Sequence, residues 1–166
     1  KMGLKKGMYF MSLLGEMNAA VAKYQGKEAL KDLAGDVGRA ANTLAETAMY
    51  FAESSKAGKF MIPVSNAYPF LMLMGKVVMA WLLLWEAGVA REKLDEIAAG
   101  KGIHPSDMQS LNLLAKENAD AAFYIGKVAA ARYFIKHVLP EVDAAAKAVK
   151  SEDLSMIDIP EESFAV

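Results

Sequence analysis

Two histidines, His104 and His137, are the only imidazoles in the 166-residue chain, and cysteine is absent. A carboxylate-bridged di-iron site in a helical bundle needs Glu-x-x-His on two helices plus two further glutamates. The residues three before the histidines are Lys101 and Phe134, so that site cannot be assembled. Without cysteine there are no disulfides, iron–sulfur clusters, thiolate zinc sites or cysteine nucleophiles. His104, beside Pro105, is expected in a loop or cap, and His137 at a helix end close to favourable carbonyls. Gly100-Lys101-Gly102 lacks the third glycine and the preceding strand of a dinucleotide fingerprint, and no Gly-x-x-x-x-Gly-Lys-Ser/Thr loop occurs. No Gly-x-Ser-x-Gly nucleophile elbow occurs either. From the residues, no catalytic, cofactor-binding or metal-ligating position is assigned.

Polar residues do interrupt one apolar stripe. Leu111, Leu114, Asn118, Ala121, Ile125, Val128, Arg132 and Ile135 recur at helical spacing, with Asn118 and Arg132 the exceptions. Arg132 with Lys127, Tyr124 and Tyr133 could form an anion or partner contact. The structural alternative pairs Arg132 with a carboxylate of a neighbouring helix, Glu46 or Glu86, while its stem packs. Trp81 and Trp85, one turn apart, are expected to be core or interface anchors.

These side chains must be positioned by helices. Apolar residues make up 54% of the chain, and strand-forming β-branched runs are missing. The spacing predicts helices over about 7–25, 27–56, 67–99 and 105–150, with a tail over 151–166. The first carries Phe10, Leu14, Met17, Val21 and Tyr24 on one face, and Gly26 is expected to end it with a positive φ. In the second, Leu30, Leu33, Val37, Ala41, Leu44, Ala48 and Phe51 form the stripe, while Asp32, Arg39, Glu46 and Glu53 point away. Gly58, Pro63 and Asn66 break the chain before the third helix, which Gly100 and Gly102 close. Ser106-Asp107 reads as the start of the fourth helix, and Pro140 as its kink. The acidic tail is expected to lie as an extended strap on the bundle through Leu154, Met156, Ile157, Ile159 and Phe164. The expected fold is a single all-α domain, an up-down-up-down four-helix bundle with an extended C-terminal tail. A compact chain of this size would expose about 8,000 Å², leaving roughly two-thirds of the unfolded surface buried.

Nineteen basic against twenty acidic residues leave a net charge of −1, which argues against a nucleic-acid partner. Ala67–Trp85 is apolar over the nineteen residues a bilayer needs. Lys76 near its middle costs roughly 2.5–3.5 kcal/mol on insertion scales, so no transmembrane span is expected. The helix is instead expected to be buried all round by its neighbours. No secretion leader opens the sequence, and a cytoplasmic location is expected. Lys rather than Met at position 1 fits a piece of a longer chain.

The run Ala122 to Pro140, AFYIGKVAAARYFIKHVLP, resembles the C-terminal helical extension of a bacterial acyl-CoA dehydrogenase subfamily that includes 3-methylmercaptopropionyl-CoA dehydrogenase-like enzymes. Ile157 to Phe164, IDIPEESF, is similar to its closing segment, Tyr68 through Trp81 to its middle helix, and Lys1-Met2-Gly3-Leu4 to the residues after the last core helix. The resemblance implies a parent flavoprotein that binds FAD and an acyl-CoA thioester and is reoxidised by an electron-transfer flavoprotein. In that family a glutamate within Tyr-Glu-Gly-Thr removes the α-proton while the β-hydride passes to the flavin. That motif is missing here, and the family places it upstream, so this piece is expected to hold no cofactor and to be inactive alone. It would pack on the catalytic core of its own chain or on the mate in a homo-oligomer. The alternative is a stand-alone bundle that binds a partner helix or lipid through a methionine-rich groove.

Overall fold

The computed structural model describes residues 7–165, all of whose regular structure is helical. The resemblance at Lys1–Leu4 lies outside the described residues. The order is α1 (Met8–Gln25), α2 (Lys31–Lys56), α3 (Met61–Ser65), α4 (Ala67–Ala99), α5 (Met108–Glu117), α6 (Ala119–Tyr133), a π-helical turn (Phe134–Val138) and α7 (Glu141–Val149), with a 3₁₀ turn at Glu161–Phe164.

Helix α1 buries Leu14, Met17, Val21 and Tyr24, and Phe10 packs beside them. Gly26 ends α1 with φ −76°, so the expected left-handed cap is absent. Lys27 and Leu30 donate to the carbonyls of Tyr24 and Lys27, and this tight turn delays α2 to Lys31 rather than 27. Every residue of the α2 stripe is buried, and Asp32, Arg39, Glu46 and Glu53 are exposed. Left-handed glycines do close the next two long helices. After α2, Gly58 has φ 81° and Lys59 donates to the Ser54 carbonyl; after α4, Gly102 has φ 70° and Ile103 donates to the Ala98 carbonyl. Both are six-to-one bonds that satisfy orphan carbonyls of a helix end. The break between α2 and α4 contains α3, whose Ile62 is buried.

The fourth helix expected over 105–150 is divided. Asp107 caps α5, its carboxylate accepting from the Ser110 amide at 3.0 Å. Asn118, expected as an interruption within a helix, instead turns the chain with extended φ and ψ and caps α6, accepting from the Ala121 amide at 2.9 Å. The π turn precedes Pro140, and Leu139 donates to the Phe134 carbonyl at 3.0 Å. A proline ring cannot sit over the carbonyl four residues back in a regular helix, and the wider turn relieves that conflict.

The buried residues form two cores. The larger gathers α1, α2, the first two-thirds of α4, the π turn and α7; the smaller joins Leu94 and Ala98 of α4 to Leu111, Leu114 and Ala121. The accessible surface is 10352 Å², well above the roughly 8,000 Å² of a compact chain of this size. Of the tail's apolar residues only Leu154 packs on the core; Met156, Ile157, Ile159 and Phe164 are exposed, so the expected strap is not laid down.

Candidate functional site

Helix α2 and the α6–α7 segment run side by side in the same direction, joined by polar contacts at a constant separation of 100 residues. Arg132 donates from Nη1 to Asp32 Oδ2 at 2.9 Å and from Nη2 to Asp32 Oδ1 at 3.3 Å. Lys136 Nζ donates to Asp36 Oδ2 at 2.6 Å and lies 3.2 Å from Asp32 Oδ2. Thr43 Oγ1 and Asp143 Oδ1 follow at 3.3 Å. The sequence partners proposed for Arg132 are therefore replaced. Glu86 pairs with Lys127 at 2.7 Å and Glu46 with Lys150 at 3.5 Å. The stripe continues across the break at Asn118, with Ala121 and Ile135 buried and Ile125 and Val128 packed on the cores, while Arg132 is half exposed beside Asp32. Tyr124 packs on the smaller core, while Tyr133 is exposed with its ring centroid 4.9 Å from that of His137. The four residues weighed as an anion contact are thus not brought together.

Burial pushes the Asp32 carboxyl up, but the hydrogen bonds and charges of Arg132 and Lys136 outweigh it and hold the group below its ordinary 3.8. Hydrogen bonding to Asp36, with the Asp32 carboxylate adding to it, holds the Lys136 ammonium above 10.5 against the opposing effect of burial. A lowered folded pKa contributes stability that is present above the ordinary value and is lost as pH falls through the folded one. Because the pair is half exposed, Asp32→Asn costs at most about 1 kcal/mol at neutral pH. Urea unfolding is expected to show that difference shrinking as the pH is lowered below 3.8. A difference that grows in acid contradicts the assignment.

His104 lies in the loop after α4, its Nδ1 2.8 Å from Ser106 Oγ, and His137 sits exposed in the π turn. Among the described residues no group of three carboxylate or imidazole side chains converges to hold a metal. The buried polar side chains are Thr47, whose hydroxyl donates to the Thr43 carbonyl at 2.7 Å, and Ser54. The Trp81 Nε1 is buried without a hydrogen-bond partner on a half-buried ring that packs on the larger core. An open groove is lined by Thr43, Asp143, Lys147 and Lys150.

The distinctive surface is apolar. Helix α4 is not buried all round: only 28% of its most apolar eighteen-residue window is covered. Its inner face, Leu73, Val77, Ala80 and Leu84, is buried, while Tyr68, Leu71, Met72, Met79, Leu82 and Trp85 are exposed along the outside. Trp81 packs on the core and Trp85 is 53% exposed, so only the first is a core anchor. By length and composition α4 is able to cross a membrane. Lys76, on its flank, pairs with Glu141 of α7. An uncovered apolar stripe of this kind can bury itself against another surface.

Known proteins carry the same stretch within larger enzymes. The family model described as acetyl-CoA dehydrogenase C-terminal like matches residues 13–160. Two butyryl-CoA dehydrogenases of Syntrophomonas wolfei are 47% and 39% identical over 51 residues, 31% of this chain and 8% of each relative. A broad-specificity linear acyl-CoA dehydrogenase of Mycobacterium tuberculosis is 30% identical over 95 residues, 57% of this chain and 13% of that protein. The matched parts thus span only 8–13% of the relatives' length. With a match that runs from the second turn of α1 through the tail, the chain belongs to the acetyl-CoA dehydrogenase C-terminal-like family.

Proposed function

We propose that this chain is the accessory C-terminal domain of an FAD-dependent acyl-CoA dehydrogenase. The parent enzyme removes an α-proton and a β-hydride from an acyl-CoA thioester, and this domain packs on its catalytic core or on a dimer mate. The observation that carries the proposal is the family match over residues 13–160, reinforced by relatives of which the matched segment is a small part. The uncovered stripe of α4 supports a packing role, because an apolar surface of that length gains free energy by leaving water. Flavin, acyl-CoA and the proton-abstracting glutamate would be held by residues outside this chain, and an electron-transfer flavoprotein would reoxidise the flavin. We further place the parent in the 3-methylmercaptopropionyl-CoA dehydrogenase-like subfamily and in the cytoplasm. Within the domain the helices are read as an up-down-up-down bundle of four, with α5 as an elaboration. The parallel polar ladder of α2 and α6–α7 supports that topology.

The test is to produce the polypeptide encoded by the whole reading frame. It is expected to carry flavin absorbance and to bleach when an acyl-CoA is added without an external electron acceptor. A protein without flavin, whose product binds a partner helix or lipid instead, supports the stand-alone bundle and ends this proposal.

A further inference from the structure

One group of exposed apolar residues lies at one end of the molecule, and the helix register says which elements meet there. Val21 of α1 lies against Gly38 of α2, and Tyr24 against Gly88 of α4. The tight turn after α1 makes α1 and α2 antiparallel neighbours. Met8 precedes Val21 by thirteen residues, about 20 Å of helix at 1.5 Å per residue. The same rise along α2 leads from Gly38 to Phe51, whose ring centroid is 5.1 Å from that of Phe70 in α4. Measuring instead from Tyr24 and Gly88 leads to position 72 of α4. The start of α1, the end of α2, α3 and the start of α4 therefore share one end of the molecule. The tail is fastened there too. Glu152 accepts from Lys59 Nζ at 2.7 Å and from the Tyr50 hydroxyl at 3.4 Å.

That end is uncovered. Met8, Phe60, Val64, Tyr68 and Leu71 are each more than 60% exposed. At the other end the surface beyond α4 is charged, with Lys93, Glu96, Lys101 and Asp107, and Met108 and Leu113 stand more isolated. The polypeptide also enters at the apolar end, since Gly7 and Met8 precede everything else described.

We infer that this end, built from the starts of α1 and α4, from α3 and from the tail, is the surface on which the preceding part of the same polypeptide docks. The inference rests on the proposed function, which supplies a long upstream chain. The matched segments are 8–13% of their relatives, so the greater part of such an enzyme lies outside this chain. A surface beside the point where the chain enters meets its own upstream domain at high effective concentration, an advantage that a second molecule lacks. An anionic membrane is a poorer occupant. Residues 151–166 carry Glu152, Asp153, Asp158, Glu161 and Glu162 with no basic residue, where a lipid surface favours lysine and arginine.

Methionines report on the two ends. Met61 and Met72 at the apolar end are 44% and 46% exposed, and Met108 at the far end is 53% exposed, so an uncovered domain oxidises all three alike. The native full-length protein is treated with hydrogen peroxide, digested, and sulfoxide formation at each methionine is followed by mass spectrometry. Met61 and Met72 are expected to react at least about tenfold more slowly than Met108. Equal rates overturn the inference. Protection that fades on dilution means a second copy covers the surface, and protection that needs added anionic vesicles means a membrane does; either overturns it. Flavin absorbance of the same sample reports separately on the proposed function. A flavin-loaded protein with unprotected Met61 and Met72 leaves that function standing and removes the docking surface alone.

Discussion

Gly88→Ala in α4 is expected to destabilise the chain by about 1–2 kcal/mol, although the same change usually strengthens a helix. A Cβ at position 88 would meet the Tyr24 ring, 2.1 Å from Cε1 and 2.2 Å from Cζ. Tyr24 is among the largest fully buried side chains and belongs to the larger core, so its ring has little room to retreat. Forcing extra volume into such a site typically costs about 1–3 kcal/mol and sometimes more. The helix-propensity gain of alanine over glycine returns only about 1 kcal/mol. The clash wins. A Cβ at Gly75 in the same helix would meet nothing within 4 Å, so Gly75→Ala is expected to raise stability by about 0.5–1 kcal/mol. Thermal unfolding of the two variants should move in opposite directions, by about 2–4 °C per kcal/mol for a chain of this size. Combining Gly88→Ala with Tyr24→Leu should recover part of the loss, because the neighbours share one space. A Gly88→Ala protein as stable as the parent would show that α1 does not pack here as described.

Leu73→Ala is expected to cost about 2–5 kcal/mol, while Leu82→Ala, nine residues along the same helix, costs less than about 1 kcal/mol in this chain. Leu73 is 0% exposed and sits in the larger core; Leu82 is 41% exposed on the uncovered stripe. Truncating the first removes buried methyl groups and leaves a cavity between α4 and its neighbours. Truncating the second removes surface that water already touches. Urea unfolding midpoints at constant m-value separate the two. Similar losses at both sites would mean that α4 is covered on both sides even in this chain, against its observed exposure.

The same contrast shows how much is legible in the sequence. The α2 stripe is fully readable, because Leu33, Val37, Leu44 and Phe51 alternate with Asp32, Arg39, Glu46 and Glu53 at helical spacing, and charge marks the outer face. The bounds of α4 are readable as well, Ala67–Ala99, since Asn66 and the glycines after Ala99 punctuate a long apolar run. Which side of α4 is covered is not. An apolar residue on every face gives no amphipathic contrast, so Leu73 and Leu82 look identical in sequence and differ only in what packs against them. Asn118 misleads for a related reason. Apolar residues continue on both sides of it at unbroken spacing, and only the extended backbone at that residue turns an apparent interruption into a cap.

Composition and spacing by themselves determined a helical chain, the faces of α1 and α2, and the lack of any metal-binding or nucleophilic constellation of the kinds sought. These follow from local rules of backbone conformation and side-chain chemistry. Tertiary structure decided the partner of Arg132, the contact of Tyr24 with Gly88, the separation into two cores, and the gathering of uncovered apolar residues at one end. Those depend on the rotation and offset of helices far apart in the chain, which the hydrophobic pattern of any one helix does not state.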